Sequence, residues 1–199
     1  MAMKITNLLI NHQKEPIGFD LSNLRVDFIV EADKFERPIK KITIWTNKDD
    51  TPVFEKEMKY DNNFFDLHDL KLLPRTRYYV QVDITDSGEH CTAETFFETG
   101  KMNEPFSASW IANKDKGIQN TLFKRNFNLN KNIISARLYI SGLGLYEASL
   151  NGEKIGDEFL TPGVTAYDHV IQVQTYDITK YLKTGVNTME VSTADGWYK

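Results

Sequence analysis

The sequence predicts an all-β protein built as two consecutive β-sandwich domains. Apolar and polar residues alternate with a period of two in several separate stretches, as at Leu24, Val26, Phe28 and Val30. That is the pattern of a strand with one buried face. Turn signals fall between these stretches, and the strongest is Asn151-Gly152, because both residues tolerate the positive φ of a two-residue hairpin. No long stretch repeats with a helical period. A chain of 199 residues suits two domains of about 100 residues, each able to bury a core without covalent staples. The boundary falls in Lys101-Met102-Asn103-Glu104-Pro105, a short linker with a proline that restricts its swing. The first domain then covers residues 1–102 and the second 106–199.

In the first domain, Leu8-Leu9-Ile10 is the one apolar run near the start. It is too short for a signal-peptide core or a membrane span, so the chain reads as cytoplasmic, with no membrane partner. Pro16-Ile17-Gly18-Phe19 forms an extended entry to the strand at 23–30. Residues 39–45 make another strand, with Ile42 and Ile44 on one face, and Lys48-Asp49-Asp50 its turn. Val53-Phe54 and residues 56–60 follow as a strand, then Asp61-Asn62-Asn63 as a turn. The clearest signal is Leu72-Leu73-Pro74-Arg75-Thr76-Arg77-Tyr78 running into an alternating strand. It resembles the fibronectin type III pattern. That resemblance implies an immunoglobulin-like sandwich of about seven strands, in which Tyr78 is a tyrosine corner with its hydroxyl bonded to upstream backbone. Asp86-Ser87-Gly88-Glu89 is the next hairpin turn, and residues 93–99 close the domain.

Trp110-Ile111 opens the second domain, and residues 113–120 are a polar loop before a strand at 122–127. Ala136-Arg137-Leu138-Tyr139-Ile140 alternates as a strand. Tyr146-Glu147-Ala148-Ser149-Leu150 is another, and it leads through Asn151-Gly152 to a partner that includes Ile155. Tyr176-Asp177-Ile178-Thr179 then passes through a short turn or 3₁₀ segment near Tyr181-Leu182. Gly185-Val186-Asn187 leads into a final strand at 188–192.

The order of these parts resembles the N-terminal β-sandwich module of bacterial α-L-rhamnosidases. The residues that carry the resemblance include Trp110-Ile111-Ala112, Phe123-Lys124-Arg125-Asn126-Phe127, Leu150-Asn151-Gly152, Leu160-Thr161-Pro162-Gly163 and Gly196-Trp197-Tyr198. The chain departs from the pattern at Val164, where the family often has Trp, so an aromatic contact at that position is not carried over. The resemblance implies a jelly-roll-like, galactose-binding-type sandwich behind the fibronectin-like one. It also implies a parent enzyme that releases terminal L-rhamnose.

Composition excludes several function classes. Net charge is −4, with −5 in the first 104 residues and +1 in the remainder. No basic stripe favours nucleic acid. Cys91 is the only cysteine, so no internal disulfide forms. With no His/Asn arrangement beside it, Cys91 reads as a filler of its strand rather than a nucleophile. His12, His68, His90 and His169 lack the spacing of a zinc site, and Asp66-Leu67-His68-Asp69 reads as a loop. No cofactor or metal is assigned. Calcium is the one candidate, and Asp157 and Asp195 would contribute its loop carboxylates.

Glycoside hydrolysis requires two carboxylates facing one sugar. Asp157, Glu158, Asp168, Asp177, Glu190 and Asp195 show no pairing in the sequence and read as turn or edge positions. No catalytic residue is therefore assigned. In the family the resemblance names, the acid and base lie on a helical domain downstream. Its partner here would be that missing C-terminal catalytic domain of the same protein. Contacts to a rhamnoside or another carbohydrate would come from aromatic rings, which pair a flat apolar face with a polar edge. Trp197, Tyr198, Tyr167 and Tyr146 are the candidates, although Trp110 and Trp197 read first as core residues. Two rival readings are a stand-alone carbohydrate-binding module and a protein-interaction or adhesion sandwich. Because the family's module continues past Gly-Trp-Tyr, the second sandwich reads as incomplete at its C-terminus. Its open edge would then support a homodimer through this domain.

Overall fold

The computed structural model describes residues 2–19, 21, 23–59, 62–115 and 120–198. Tyr60, Asp61 and residues 116–119, which belong to predicted strand, turn and loop positions, lie outside the described residues. The chain divides into Met1–Pro105 and Phe106–Lys199, and both units are built from β-strands.

The first unit has eight strands: β1 (Lys4–Ile10), β2 (Ile17–Phe19), β3 (Arg25–Glu31), β4 (Ile39–Trp45), β5 (Phe54–Met58), β6 (Phe64–Asp66), β7 (Arg77–Asp86) and β8 (Glu89–Thr99). One sheet has the order β1-β3-β6 and the other β2-β8-β7-β4-β5. All the pairings are antiparallel except β2 with β8. This is an immunoglobulin-like sandwich.

The core follows from the alternation. Along β7, Tyr78, Val80, Val82 and Ile84 are buried, while the residues between them are half-buried. Val26, Phe28, Ile42, Ile44, Phe65 and Phe97 complete the same cluster. Tyr78 stacks on Phe97 with ring centroids 4.9 Å apart, and Leu73 N–H donates to Tyr78 Oη at 2.7 Å. The predicted tyrosine corner is present. Burial pushes the phenol pKa up, and only the Leu73 N–H opposes it.

Two features of this unit depart from the expectation. β1 reads in the sequence only as a short apolar run, yet it pairs with β3 across a bulge between Thr6 and Leu9. Lys40 lies on the buried face of β4, 2% exposed. A buried ammonium must be hydrogen-bonded to be tolerated, and Lys40 Nζ donates to Asn62 O at 2.7 Å and Asn63 Oδ1 at 2.9 Å. The connector is also tied down. Arg75 donates through Nε and Nη2 to the two carboxylate oxygens of Glu104, at 2.6 and 3.0 Å. The Arg75 guanidinium therefore holds the Glu104 carboxyl below the usual range.

The second unit has β9 (Asn120–Leu129), β10 (Arg137–Ile140), β11 (Leu145–Leu150), β12 (Glu153–Lys154), β13 (Gln174–Asp177), a 3₁₀ turn at Thr179–Tyr181 and β14 (Gly185–Ala194). A four-stranded sheet of order β12-β11-β14-β9 packs over the pair β10-β13. Tyr146, Ala148 and Leu150 alternate inward from β11, and Ile155 and Ile178 complete the buried set. Asn151 (φ 55) and Gly152 (φ 87) form the predicted two-residue turn between β11 and β12. The 3₁₀ turn before the last strand is also where the sequence places it.

Trp110 departs from its expected place in the core. Trp110 is 64% exposed, and residues 106–115 join no strand. A side chain is buried only where a sheet is there to cover it, and this stretch pairs with none.

Candidate functional site

The end of the second unit formed by the start of β9, the start of β11 and the finish of β14 holds a shallow cleft of about 600 Å³. The loop at Glu158-Phe159-Leu160 forms its lip. Thr161 fastens that loop to β11. Its Oγ1 donates to Tyr146 O at 2.6 Å, and Tyr146 N–H donates to Thr161 O at 2.8 Å.

The four aromatic residues singled out in the sequence separate into two environments. Tyr146 is buried in the core, and its hydroxyl donates to Gln174 Oε1. Burial first, and then the neighbouring Tyr176, push its phenol pKa far up. Tyr176 is also raised, chiefly by burial, with the Glu158 carboxylate adding to the shift. Phenols shifted in this direction stay protonated at neutral pH and serve as hydrogen-bond donors, not as nucleophiles. Tyr146 is 6% exposed in the core and is also among the residues that line the cleft. It falls on the inward phase of β11.

The other three reach the surface. Tyr167 and Tyr198 meet edge to face, with ring centroids 5.6 Å apart, which links the loop after Pro162 to the segment after β14. Trp197, next to Tyr198 in the chain, is 75% exposed, so its expected core placement is corrected. Gly196 allows this segment to pack closely, since a Cβ there would lie 2.8 Å from Leu145 Cγ.

Three carboxylates of this unit are held in ion pairs with lysine or arginine. Glu147 pairs with Lys154 at 3.0 Å, Glu190 with Lys124 at 2.6 Å and Asp177 with Arg137 at 3.0 Å. Among the described residues, no group of three His, Cys, Asp or Glu is arranged to hold a metal ion. Cys91 is half-buried in β8, and its thiol pKa is raised, first by burial and then by Asp83 and Glu89. A raised thiol is a poor nucleophile at neutral pH.

Sequence reasoning missed a polar cluster that holds the hairpin. Asn187 is fully buried, receives a hydrogen bond from Asn151 Nδ2 and caps the turn at Lys183 and Gly185. Asn187 reads as an ordinary turn residue in the sequence, and only its position on the inward phase of β14 could have marked it.

The fold and its surface thus define a tandem β-sandwich protein with an immunoglobulin-like first domain. The family model described as "Rha78A-like, N-terminal immunoglobulin domain" matches residues 5–103, and the "Alpha-L-rhamnosidase N-terminal domain" matches residues 131–199. The chain carries the domain pair of the N-terminal region of α-L-rhamnosidases. An α-L-rhamnosidase of Formosa agariphila is 37% identical over 102 residues, covering 51% of this chain and 10% of the relative. A second from the same organism is 27% identical over 168 residues, covering 78% of this chain and 16% of the relative. The chain thus spans less than a fifth of the length of these curated relatives. Among solved structures, the α-L-rhamnosidase from Dictyoglumus thermophilum matches 98% of this chain and 25% of its own. The TM-score is 0.87 and the identity 26%.

Proposed function

We propose that these two domains form a non-catalytic N-terminal region of an α-L-rhamnosidase, a glycoside hydrolase that releases terminal L-rhamnose. Their role in it is to scaffold the catalytic domain. The observation that carries the reading is the structural match over 98% of this chain to one quarter of a rhamnosidase. The two family models support it, because they match residues 5–103 and 131–199 to domains described as N-terminal. The test is hydrolysis of a nitrophenyl α-L-rhamnoside by the 199-residue chain and by the full-length protein. Release by the full-length protein alone is expected, and release by the short chain would overturn the non-catalytic role.

A second role is favoured by the surface aromatics. Trp197, with Tyr167 and Tyr198 in edge contact, offers an apolar platform on which a sugar ring can lie. Titration with L-rhamnose should quench tryptophan fluorescence, and Trp197→Ala should abolish the response. An unchanged response in that variant removes this role and leaves the scaffolding one intact.

A further inference from the structure

The turn between β11 and β12 is also a chemically labile peptide. Asn151-Gly152 is the only Asn-Gly pair in the sequence. An asparagine carboxamide is open to attack by the backbone nitrogen of the next residue, and glycine, with no side chain, leaves that nitrogen unshielded. In an unfolded chain nothing restrains either group. In the folded unit both atoms of the carboxamide are engaged by elements distant in sequence. Asn151 Nδ2 donates to Tyr181 O in the 3₁₀ turn and to Asn187 Oδ1, and Asn151 Oδ1 accepts the Thr188 N–H of β14. The backbone is held too, since Asn151 N–H donates to Thr188 O at 2.8 Å. Asn187, against which the carboxamide rests, is fully buried. To approach Gly152 N, Asn151 Cγ must leave a position fixed by three side-chain hydrogen bonds.

We propose that Asn151 is a latent deamidation site, closed by the fold and opened by unfolding, whose conversion makes loss of the second domain's fold permanent. Gly152 N, having given its proton to hydroxide, forms a bond to Asn151 Cγ. The Cγ–Nδ2 bond breaks and Nδ2 leaves as ammonia. Water then opens the resulting succinimide at either carbonyl. The net change is asparagine and water to aspartate or isoaspartate and ammonium. Neither product rebuilds the site. A carboxylate has no N–H for Tyr181 O or Asn187 Oδ1, and it sets a negative charge against two oxygen acceptors. Asn187 is not free to turn its amide toward that charge. Its Oδ1 already accepts Lys183 N–H, and its Nδ2 serves the carbonyls of Lys183 and Gly185. Isoaspartate is worse still, because it carries the chain through Cγ and adds a methylene to the backbone. The two-residue turn fixes the pairing of Leu150 with Glu153, and a longer turn breaks that register.

The test holds the 199-residue chain at mildly alkaline pH, in buffer and in guanidinium chloride, and follows Asn151 by peptide mass spectrometry. Conversion should run roughly tenfold or more slowly in buffer than in denaturant, because it requires the hairpin to open. Equal rates in the two solvents overturn the proposal. Gly152→Ala supplies the second arm. A Cβ at this position meets nothing within 4 Å, while its methyl group shields the attacking nitrogen, so conversion in denaturant should slow. After matched incubations in denaturant, each protein is diluted into buffer and the native yield is read by near-UV circular dichroism. The yield should fall in step with the converted fraction for the native sequence and hold steady for Gly152→Ala. An equal fall in both, with Asn151 intact in the variant, overturns the irreversible step. So does full recovery of native signal from converted protein.

Discussion

Asn151 Nδ2 donates to Asn187 Oδ1 across 2.8 Å, and this contact ties the β11–β12 hairpin to the start of β14. Each side chain is otherwise fully used. Asn151 Nδ2 also reaches Tyr181 O at 2.8 Å, and Asn151 Oδ1 receives Thr188 N–H at 2.9 Å. Asn187 Oδ1 receives Lys183 N–H at 3.0 Å, and its Nδ2 donates to Lys183 O at 2.7 Å and Gly185 O at 3.0 Å. Two side chains thereby satisfy the backbone of a hairpin, a 3₁₀ turn and a strand entry. Among the described residues, the buried apolar cluster beside these parts is formed by Tyr146, Ala148, Leu150, Ile155 and Ile178.

Asn187→Ala should therefore be among the most damaging polar substitutions in the second unit. It removes the acceptor of Lys183 N–H and the side-chain donor to the Lys183 and Gly185 carbonyls, and leaves Asn151 Nδ2 with Tyr181 O alone. Each unsatisfied group costs about 1–3 kcal/mol, so a total on the order of 3 kcal/mol is expected after relaxation. Urea denaturation followed by tryptophan fluorescence measures it. A loss below about 1 kcal/mol would mean that water replaces the network.

In the first unit, Tyr78→Phe should keep the stacking on Phe97 and lose only the acceptor for Leu73 N–H. The expected cost is about 1–2 kcal/mol, read as a lower denaturant midpoint with an unchanged slope. No change in the midpoint would show that the Leu73 N–H finds another acceptor.

Asp86 should give the first unit an acid-sensitive stability. Its carboxylate accepts Arg37 N–H at 2.9 Å and Glu36 N–H at 2.8 Å. These two bonds, with Ser87 adding to them, hold its pKa below the ordinary 3.8. A folded pKa depressed below the unfolded one contributes stability that is complete above the unfolded value and is lost as pH falls through the folded one. The melting-temperature gap between the native protein and Asp86→Asn should accordingly be constant above about pH 5 and close below pH 3.8. A gap that does not narrow at all as pH falls below 3.8 would contradict the assignment.

Two glycines with positive φ separate backbone strain from collision. A Cβ at Gly152 (φ 87) would meet nothing within 4 Å, whereas one at Gly144 (φ 93) would lie 2.4 Å from Ala194 O and 2.5 Å from Asp195 O. Gly152→Ala should cost about 1–2 kcal/mol, the left-handed penalty alone. Gly144→Ala should cost clearly more, because fixed backbone has to move. Thermal denaturation of the two variants side by side compares them, and equal losses would show that the β11–β14 junction yields easily.

What the sequence revealed was mostly local. The Asn151-Gly152 turn, the Tyr78 corner and the β7 alternation each depend on residues a few positions apart, so their physics is complete within a short window. The strands that escaped notice are short or irregular. β6 and β13 have three and four residues, and the bulge in β1 breaks the period-two signal. Lys40 shows a different limit. It occupies an inward position of β4, where the distant Asn62 and Asn63 accept hydrogen bonds from its ammonium. Trp110 and Trp197 show a third limit. Hydrophobicity placed them inside, whereas burial depends on whether a second layer exists to cover them.

The Arg75–Glu104 fork has a practical consequence for anyone who transplants the immunoglobulin-like domain into another protein. A cut after Met102 would look natural from the strand boundaries, since β8 finishes at Thr99. It would nevertheless discard the carboxylate that receives two of the Arg75 donors at a residue already held at φ 51. The portable unit runs through Pro105, and grafts that carry those last residues should retain the native loop at Arg75.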